Sequence, residues 1–215
     1  GGTQDGASIT LGLAESATCT ITNSDKPGSL EVTKVVQWNG VTPEADSFEI
    51  CITGPSYPTT PNCKTITTEQ VTNGATLVWN GLQHGDYLVT ETGQPEWTTV
   101  VPAAATQVPA TGVPAHATVT NTRKLGSLDV TKIVDWQGAT AQPGQTFELC
   151  ITGPTYPTPN CQTTDFDGGV LSWLNLIPGD YTVTETEPGS AWTVTGSGGV
   201  VTLPADGSSV GHTVT

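Results

Sequence analysis

Basic residues are scarce in this sequence, which limits the partners that the chain can have. Lysine and arginine together number 6, against 20 aspartate and glutamate residues, and the formal net charge is −14 at neutral pH. Nucleic acids and anionic membrane surfaces are held by clustered lysine and arginine. The composition therefore argues against both as partners. The acidic excess is compatible with solubility outside the cell or with an acidic binding surface.

Long apolar runs and common catalytic motifs are also absent. No apolar run is long enough to span a bilayer, so we expect no membrane insertion by this segment. The sequence has no glycine-rich phosphate loop and no nucleophile elbow, and its 3 histidines do not recur at equivalent positions. We therefore expect no enzyme that turns over, no cofactor and no metal site.

What the sequence does contain is a tandem repeat. The segment GSLEVTKVV at 28–36 returns as GSLDVTKIV at 126–134, which is 98 residues later. Two further landmarks recur: FEICITGP at 48–55 returns as FELCITGP at 147–154, and GDYxVTET occurs at 85–92 and 179–186. The 6 tryptophans form two matched triples. Repeats of this length predict separate domains, each burying its own core.

The repeat boundaries divide the chain into three parts. We predict one domain with its linker at 28–125 and a second at 126–215. Residues 1–27 match the closing part of a repeat and are predicted to be the last two strands of a preceding domain plus a linker. Each repeat has about seven short β-branched stretches separated by Gly, Pro, Asn and Asp turns. The fold class predicted is all-β, with tandem antiparallel β-sandwiches that are prealbumin- or Ig-like.

Four of the 5 cysteines recur between the repeats. Cys51 and Cys63 bracket a proline-rich loop, and Cys150 and Cys161 bracket the same loop shortened by one residue. This pattern predicts one local disulfide in each repeat, worth about 2–3 kcal/mol, and an oxidising compartment. A metal site is the alternative, although no second Cys or His pair stands nearby. For Cys19 we predict a partner in the preceding domain, with a free thiol or an interchain disulfide as alternatives.

Several polar residues fall on the inward faces of predicted strands. Side chains two apart share a face, so Lys34 lies on the apolar face of the strand at 30–36, and Lys132 occupies the same place in the second repeat. The same alternation turns Glu91, Glu185 and Asn121 inward. A buried lysine and a buried carboxyl are costly unless they are paired. We therefore predict that the lysine and glutamate of each repeat pair in the core.

Three motifs together resemble a known family. The first strand reads Leu-x-Val-x-Lys at 30–34, a later strand reads Gly-Asp-Tyr-x-Val-x-Glu at 85–91, and the closing strand ends in Val-Thr-Asn at 119–121. This combination resembles the prealbumin-like B-type domains of collagen adhesins and Gram-positive pilins. The likeness covers both repeats and the N-terminal segment.

The resemblance implies an intramolecular isopeptide bond in the first repeat. Carried over to this sequence, Lys34 is the nucleophile, Asn121 the acceptor and Glu91 the proton shuttle. Burial lowers the pKa of an amine and raises that of a carboxylic acid, so neutral forms of both can coexist in a core. The reaction occurs once per domain, without turnover. A lysine–glutamate pair with no covalent link would leave much the same sequence, and many pilin domains with isopeptide bonds lack disulfides.

The second repeat matches this pattern only in part. Lys132 and Glu185 are its lysine and proton shuttle, but the expected acceptor position falls one residue beyond Thr215. Conversely, Asn23 has no lysine of its own domain in this sequence. We favour a segment of a longer array. The alternative is head-to-tail assembly, in which the N-terminal strands of one subunit complete a neighbour by strand addition.

These observations predict an extracellular structural repeat protein of the cell surface, such as a stalk, an adhesin shaft or a filament subunit. Its expected partners are neighbouring repeats or subunits of the same protein. The alternative function is a ligand- or carbohydrate-binding accessory module of a secreted protein. An exposed aromatic platform at the same place in both repeats would favour that alternative.

Overall fold

The computed structural model describes residues 12–16, 18 and 20–215 and consists almost entirely of β-strands. Burial alternates along these strands, as the sequence predicts. In the first, Leu30 and Val32 are fully buried and Lys34 is 3% exposed, while the residues between them face outward. A pleated strand places every second side chain in the core, and β-branched residues suit it. The all-β prediction is confirmed.

The first repeat forms two four-stranded sheets that enclose one core. Its elements in chain order are β1 (Gly28–Gln37), β2 (Ser47–Gly54), β3 (Tyr57–Thr67), α1 (Thr68–Thr72), β4 (Thr76–Leu82), β5 (Gly85–Glu91), β6 (Trp97–Val100), β7 (Thr106–Val108) and β8 (Ala115–Arg123). One sheet has the order β4-β1-β8-β6, and the other has the order β3-β2-β5-β7. The core draws on both sheets, so this unit is a β-sandwich.

The second repeat has the same layout with one strand fewer. Its elements are β9 (Gly126–Lys132), β10 (Phe147–Thr152), β11 (Asn160–Thr164), β12 (Gly169–Leu176), β13 (Gly179–Glu185), β14 (Gly199–Leu203) and β15 (Ser209–Val214). The sheets have the orders β12-β9-β15 and β11-β10-β13-β14. A separate cluster of buried residues fills the space between them.

The first and last strands of each repeat are parallel neighbours, and this arrangement positions the polar core residues. β1 pairs with β8 from Leu30 opposite Ala115 to Gln37 opposite Thr122. β9 pairs with β15 in the same way as far as Lys132 opposite Val214. The inward lysine of each first strand therefore lies beside the closing strand of its own repeat.

A buried tyrosine fixes the start of the strand that carries the glutamate. The hydroxyl of Tyr87 donates to the carbonyl of Gln83 at 3.0 Å and to Ser56 Oγ at 2.7 Å. A Cβ atom at Gly54 would lie 2.6 Å from the Tyr87 ring, so only glycine fits there. In the second repeat the Tyr181 hydroxyl donates to the carbonyl at position 177, also at 3.0 Å.

Part of the N-terminal segment lies among the described residues. The described residues between 12 and 27 contain no strand, and Thr20–Asn23, expected to close a preceding domain, are exposed. An isolated extended segment has no partner for its backbone N–H and C=O groups, so it gains nothing from strand geometry. The assignment of 1–27 to a preceding domain remains a prediction. Among the described residues, no helix has the length and apolar character needed to cross a membrane.

Candidate functional site

Three polar side chains meet in the core of the first repeat. Lys34 Nζ donates to Glu91 Oε2 at 2.5 Å and to Asn121 Oδ1 at 2.6 Å. Asn121 Nδ2 donates to Glu91 Oε1, also at 2.6 Å. The side chains of Lys34 and Glu91 are fully buried, and Asn121 is 0% exposed. The three groups therefore form a closed triangle of hydrogen bonds that is shielded from water.

Each member of this triangle comes from a different strand. Lys34 lies in β1 opposite Val119 of β8, and Asn121 lies two residues further along β8 on the same face. Glu91 ends β5 in the opposite sheet and reaches across the core. Alternation along three strands turns these residues inward, and sandwich packing brings them together. Strand periodicity predicted the three inward faces, the cost of buried charge predicted the lysine–glutamate pair, and the family resemblance added Asn121.

The walls of the site include residues that the sequence did not indicate. Lys34 Nζ lies 4.1 Å from the centroid of the Phe48 ring, within cation–π range. Thr99 Oγ1 donates to Glu91 Oε1 at 3.5 Å. Asp46 accepts from the Trp97 indole N–H at 2.8 Å. Because Phe48 recurs in the second repeat, the repeat pattern could have indicated it as a site residue. Asp46 is replaced by a glutamine there, so the pattern could not have indicated it.

Burial lowers the pKa of Lys34 below its ordinary value. The hydrogen bond from Lys34 to Glu91 and the negative charges of Glu91 and Asp46 oppose this effect without cancelling it. An amine shielded from water loses hydration of its charged form, so the neutral form becomes more accessible. A neutral amine carries the lone pair that a nucleophile needs.

Glu91 contacts both nitrogen atoms that would take part in an acyl transfer from Asn121 to Lys34. One carboxyl oxygen touches the lysine nitrogen and the other touches the amide nitrogen of Asn121. A carboxyl group in this position can accept a proton from the first nitrogen and deliver one to the second. The lysine nitrogen is already in hydrogen-bond contact with the carboxamide that it would attack.

The second repeat contains the buried lysine and glutamate of this arrangement. Lys132 Nζ donates to Glu185 Oε2 at 2.8 Å and lies 4.9 Å from the centroid of the Phe147 ring. Lys132 is 5% exposed and the Glu185 side chain is fully buried. The second carboxyl oxygen of Glu185 is buried and has no hydrogen-bond partner among the described residues. Thus the lysine–glutamate pair recurs, but the third contact does not.

The disulfides lie in the sheet that also carries the glutamate of each repeat, at strand positions that alternate with the inward-facing residues. Cys51 in β2 is bonded to Cys63 directly opposite in β3, and Cys150 in β10 is bonded to Cys161 in β11. Two of these sulfur atoms approach Glu148 closely enough for a metal, but as disulfide sulfurs they cannot bind one as thiolates.

Two residues named in the sequence analysis are not part of this arrangement. Cys19 lies outside the described residues, so its predicted partner stays a prediction. Asn23 lies in the exposed N-terminal segment, in a region without strand structure. The structure therefore groups Lys34, Glu91 and Asn121, pairs Lys132 with Glu185, and leaves Asn23 in solvent.

This chain is similar to several solved structures. No protein-family model and no curated protein matches the sequence. The Bacillus anthracis TIE protein aligns with 87% of this chain at 20% identity and a TM-score of 0.59, and the aligned part is 33% of that protein. At this identity the likeness concerns the fold, and the chain spans about a third of the length of that relative.

The resemblance expected from the sequence is also found among the solved structures. Two B repeat units of the collagen binding protein of Staphylococcus aureus align with 88% of this chain at 19% identity, with a TM-score of 0.38 and 50% coverage of that chain. A minor pilin of Streptococcus agalactiae aligns with 86% of this chain at 16% identity, with a TM-score of 0.32 and 94% coverage of that chain.

Proposed function

We propose that the chain is part of an extracellular structural protein, a surface shaft or filament made of tandem β-sandwiches. In this proposal the first repeat closes itself with an isopeptide bond between Lys34 and Asn121. The observation that carries it is the position of Glu91, which contacts both the attacking nitrogen and the nitrogen that would leave. In the second repeat the lysine–glutamate pair forms without this second contact.

The proposed reaction follows directly from these contacts. Neutral Lys34 Nζ attacks Cγ of Asn121 while the carboxyl group of Glu91 accepts the proton that Nζ releases. Glu91 then protonates the amide nitrogen, the bond from Cγ to that nitrogen breaks, and ammonia leaves. The new bond joins Nζ to Cγ, no electron acceptor is needed, and the carboxyl group returns to its starting state.

A covalent link at this place suits a load-bearing role. β1 and β8 are the first and last strands of the repeat and lie side by side in parallel. A pull on the two ends of the repeat would shear this pair, and the proposed bond joins the same two strands. The disulfide instead closes the β2–β3 hairpin, at a sequence separation of 12 residues. The two disulfides support an oxidising, extracellular location.

Intact mass is the direct test of the proposed bond. After reduction of the disulfides, the chain should weigh less than its calculated polypeptide by one ammonia for the Lys34–Asn121 bond. Glu91→Gln is the matched control, because it keeps the size of the side chain but removes the proton carrier; its mass should equal the calculated value. A wild-type mass equal to the calculated value would refute the cross-link.

The alternative, a carbohydrate-binding module, predicts an aromatic platform at the same place in both repeats. The Trp97 position does not provide one, because Trp97 is only 3% exposed and its ring is covered by Arg123, whose Cζ lies 5.3 Å from the ring centroid. The equivalent Trp192 is partly exposed. Trp38 and Trp136 are partly exposed in both repeats, and each packs edge-on against Trp97 or Trp192 at a centroid distance of 5.0 Å.

A further inference from the structure

The loop closed by each disulfide is nearly the same in both repeats. Residues 48–63 return at 147–161 with two substitutions and one threonine fewer. The connection that follows this loop has diverged, since it forms helix α1 in the first repeat and reads Asp-Phe-Asp-Gly at 165–168 in the second. Surface loops that only join strands tolerate such change. The similarity of the disulfide loops therefore needs its own explanation.

Packing explains the base of the loop. In the first repeat the Trp79 indole N–H donates to Asn62 Oδ1 at 2.8 Å, and the Tyr87 hydroxyl donates to Ser56 Oγ at 2.7 Å. The same two contacts recur in the second repeat, between Trp173 and Asn160 and between Tyr181 and Thr155. The disulfide fixes a further point in each loop. The base of the loop is therefore held by the sandwich, which accounts for the residues found there.

Packing does not explain the tip of the loop. Residues 58–61, Pro-Thr-Thr-Pro, bulge from the edge strand β3 between the paired residues Tyr57 and Asn62. All four are exposed, and so are the equivalent residues 157–159, Pro-Thr-Pro. Substitution of exposed residues like these usually changes stability little. The presence of the same residue types at both tips therefore indicates something that contacts the tips from outside.

The difference between the two tips distinguishes two kinds of recognition. A groove that binds a polyproline II helix depends on the spacing of the prolines, because three residues make one turn. The prolines are three positions apart in the first tip and two apart in the second. One groove would therefore fit only one of the tips. What both tips share is a threonine directly after a proline, and the additional residue of the first tip is another threonine.

We propose that the two tips are sites of O-linked glycosylation, at Thr59 and Thr60 in the first repeat and at Thr158 in the second. Stretches rich in threonine and proline carry such sugars in stalk-like proteins. Proline has no backbone N–H and holds the chain extended, and the exposed threonine beside it presents its hydroxyl to solvent. The proposal is independent of the Lys34–Asn121 bond.

The chain supplies only the acceptor for this reaction. The substrate is a sugar joined through its C1 to the phosphate of a nucleotide or lipid carrier, and a transferase of the cell binds both. Threonine Oγ1 attacks C1, the bond from C1 to the phosphate oxygen breaks, and the phosphate leaves with the electron pair while the hydroxyl proton passes to a base of the transferase. A neutral hexose suits this chain, because an acidic sugar would add to its net charge of −14.

A sugar at the tip would protect the loop that carries it. Exposed loop tips of small and polar residues are preferred sites of proteolytic cleavage. The disulfide holds the two ends of the loop together but does not cover its tip, since residues 58–61 and 157–159 are exposed. A sugar on the threonine covers that part of the backbone.

Peptide mass mapping of the full chain, isolated from the cells that naturally produce it, tests this proposal. After reduction, the peptides that hold the two tips should gain the mass of one or more hexoses. Fragmentation that leaves the sugar attached should place it on Thr59, Thr60 and Thr158. The same chain made in cells without protein O-glycosylation should show no gain. Tip peptides that are unmodified in the natural chain would overturn the proposal.

Variants made in the natural producing cells test the selectivity of the site. Thr158→Ala should abolish the mass gain of the second tip alone, whereas Thr158→Ser keeps a hydroxyl and should retain it. Replacing both Pro157 and Pro159 by alanine should lower the occupied fraction of Thr158 several-fold. Because these residues are exposed, the unfolding temperature of the unglycosylated chain should stay unchanged, which separates loss of the sugar from misfolding.

Thr118 provides the matched control, because it is an exposed threonine of β8 without a neighbouring proline. Thr118→Ala should leave the mass gain of both tip peptides as it is in the wild-type chain. A natural chain in which Thr118 carries sugar as often as the tips would show that any exposed threonine is modified, and it would overturn the proposal. Neither result bears on the ammonia lost through the Lys34–Asn121 bond, so the two proposals fail separately.

Discussion

The two repeats bury the same lysine–glutamate pair in the same place but surround it differently. Around Lys34 the polar groups close a triangle in which both carboxyl oxygens of Glu91 accept hydrogen bonds. Around Lys132 only one carboxyl oxygen of Glu185 is used. In the first repeat the additional hydrogen bond comes from Asn121 of β8, two residues past the register of the lysine.

The end of the closing strand β8 has two consequences for the first repeat. It supplies the amide that satisfies the buried carboxyl group, and it gives β6 a partner, so that the sheet of the first repeat has a fourth strand. A buried polar network is therefore coupled to completion of the sheet edge, and a change in one should be felt in the other.

Lys34→Met should have the largest effect, because it removes the proposed cross-link. The two residues that it joins are 87 apart in sequence, and closing a loop of that length is worth about 4–5 kcal/mol on the chain-entropy model. Native-state hydrogen exchange of amides in the first repeat should report this loss. Lys26→Met, at an exposed position, is the control and should change little. A loss no larger than that of the control would mean that no covalent link exists.

Lys132→Met should lower the stability of the second repeat nearly as much, but a second substitution should restore most of that loss. Removing one partner leaves Glu185 as an uncompensated buried charge, at a cost of about 3–5 kcal/mol. Adding Glu185→Leu should recover most of that loss, because an apolar pair can replace a non-covalent ion pair. The matched double change of Lys34→Met with Glu91→Leu should not recover, since the cross-link stays absent. Unfolding in denaturant, followed separately in each repeat, measures both cycles.

Paired removal of the disulfide cysteines should affect the repeats equally. Cys51→Ala with Cys63→Ala opens a loop of separation 12, and Cys150→Ala with Cys161→Ala opens one of separation 11. Each should cost about 2–3 kcal/mol, visible as a similar fall in the denaturation midpoint. A much larger loss in one repeat would show that its disulfide also supports the polar core.

The fold and most of the central site could be predicted because they depend on local periodicity. Alternation fixed the inward faces of Lys34, Glu91 and Asn121, and the repeat fixed which strands correspond. The cost of unpaired buried charge then required the residues to meet. These arguments need only the spacing of residues within strands, which the sequence displays directly.

What could not be predicted depends on contacts between distant segments. Asp46 influences Lys34 from outside the repeated pattern, and Arg123 of β8 covers Trp97, which lies directly opposite it in β6. The one-turn helix α1 is formed by a capping box between Thr67 and Gln70, a local signal that the β-rich composition obscured.

The pH dependence of stability should show the smallest effect, and it tests whether Lys34 keeps a free amine. Asn121→Leu should block the bond while keeping the amine buried. Burial lowers the pKa of Lys34 in the folded chain, against the hydrogen bond and charge of Glu91 and the charge of Asp46. Between the folded-state pKa and the ordinary value, the unfolded chain holds a proton that the folded chain lacks. The free energy of unfolding of this variant should therefore rise with pH across that window.

Two controls isolate this slope. Adding Lys34→Met to Asn121→Leu removes the titrating amine, so the rise attributable to Lys34 should disappear while other groups titrate as before. In the wild-type chain, the proposed bond converts the amine to an amide nitrogen that does not titrate in this range. Its first repeat should therefore follow the double variant and not Asn121→Leu. A wild-type slope that instead matches Asn121→Leu would show a free amine at Lys34, and the two repeats would then differ only in a hydrogen bond.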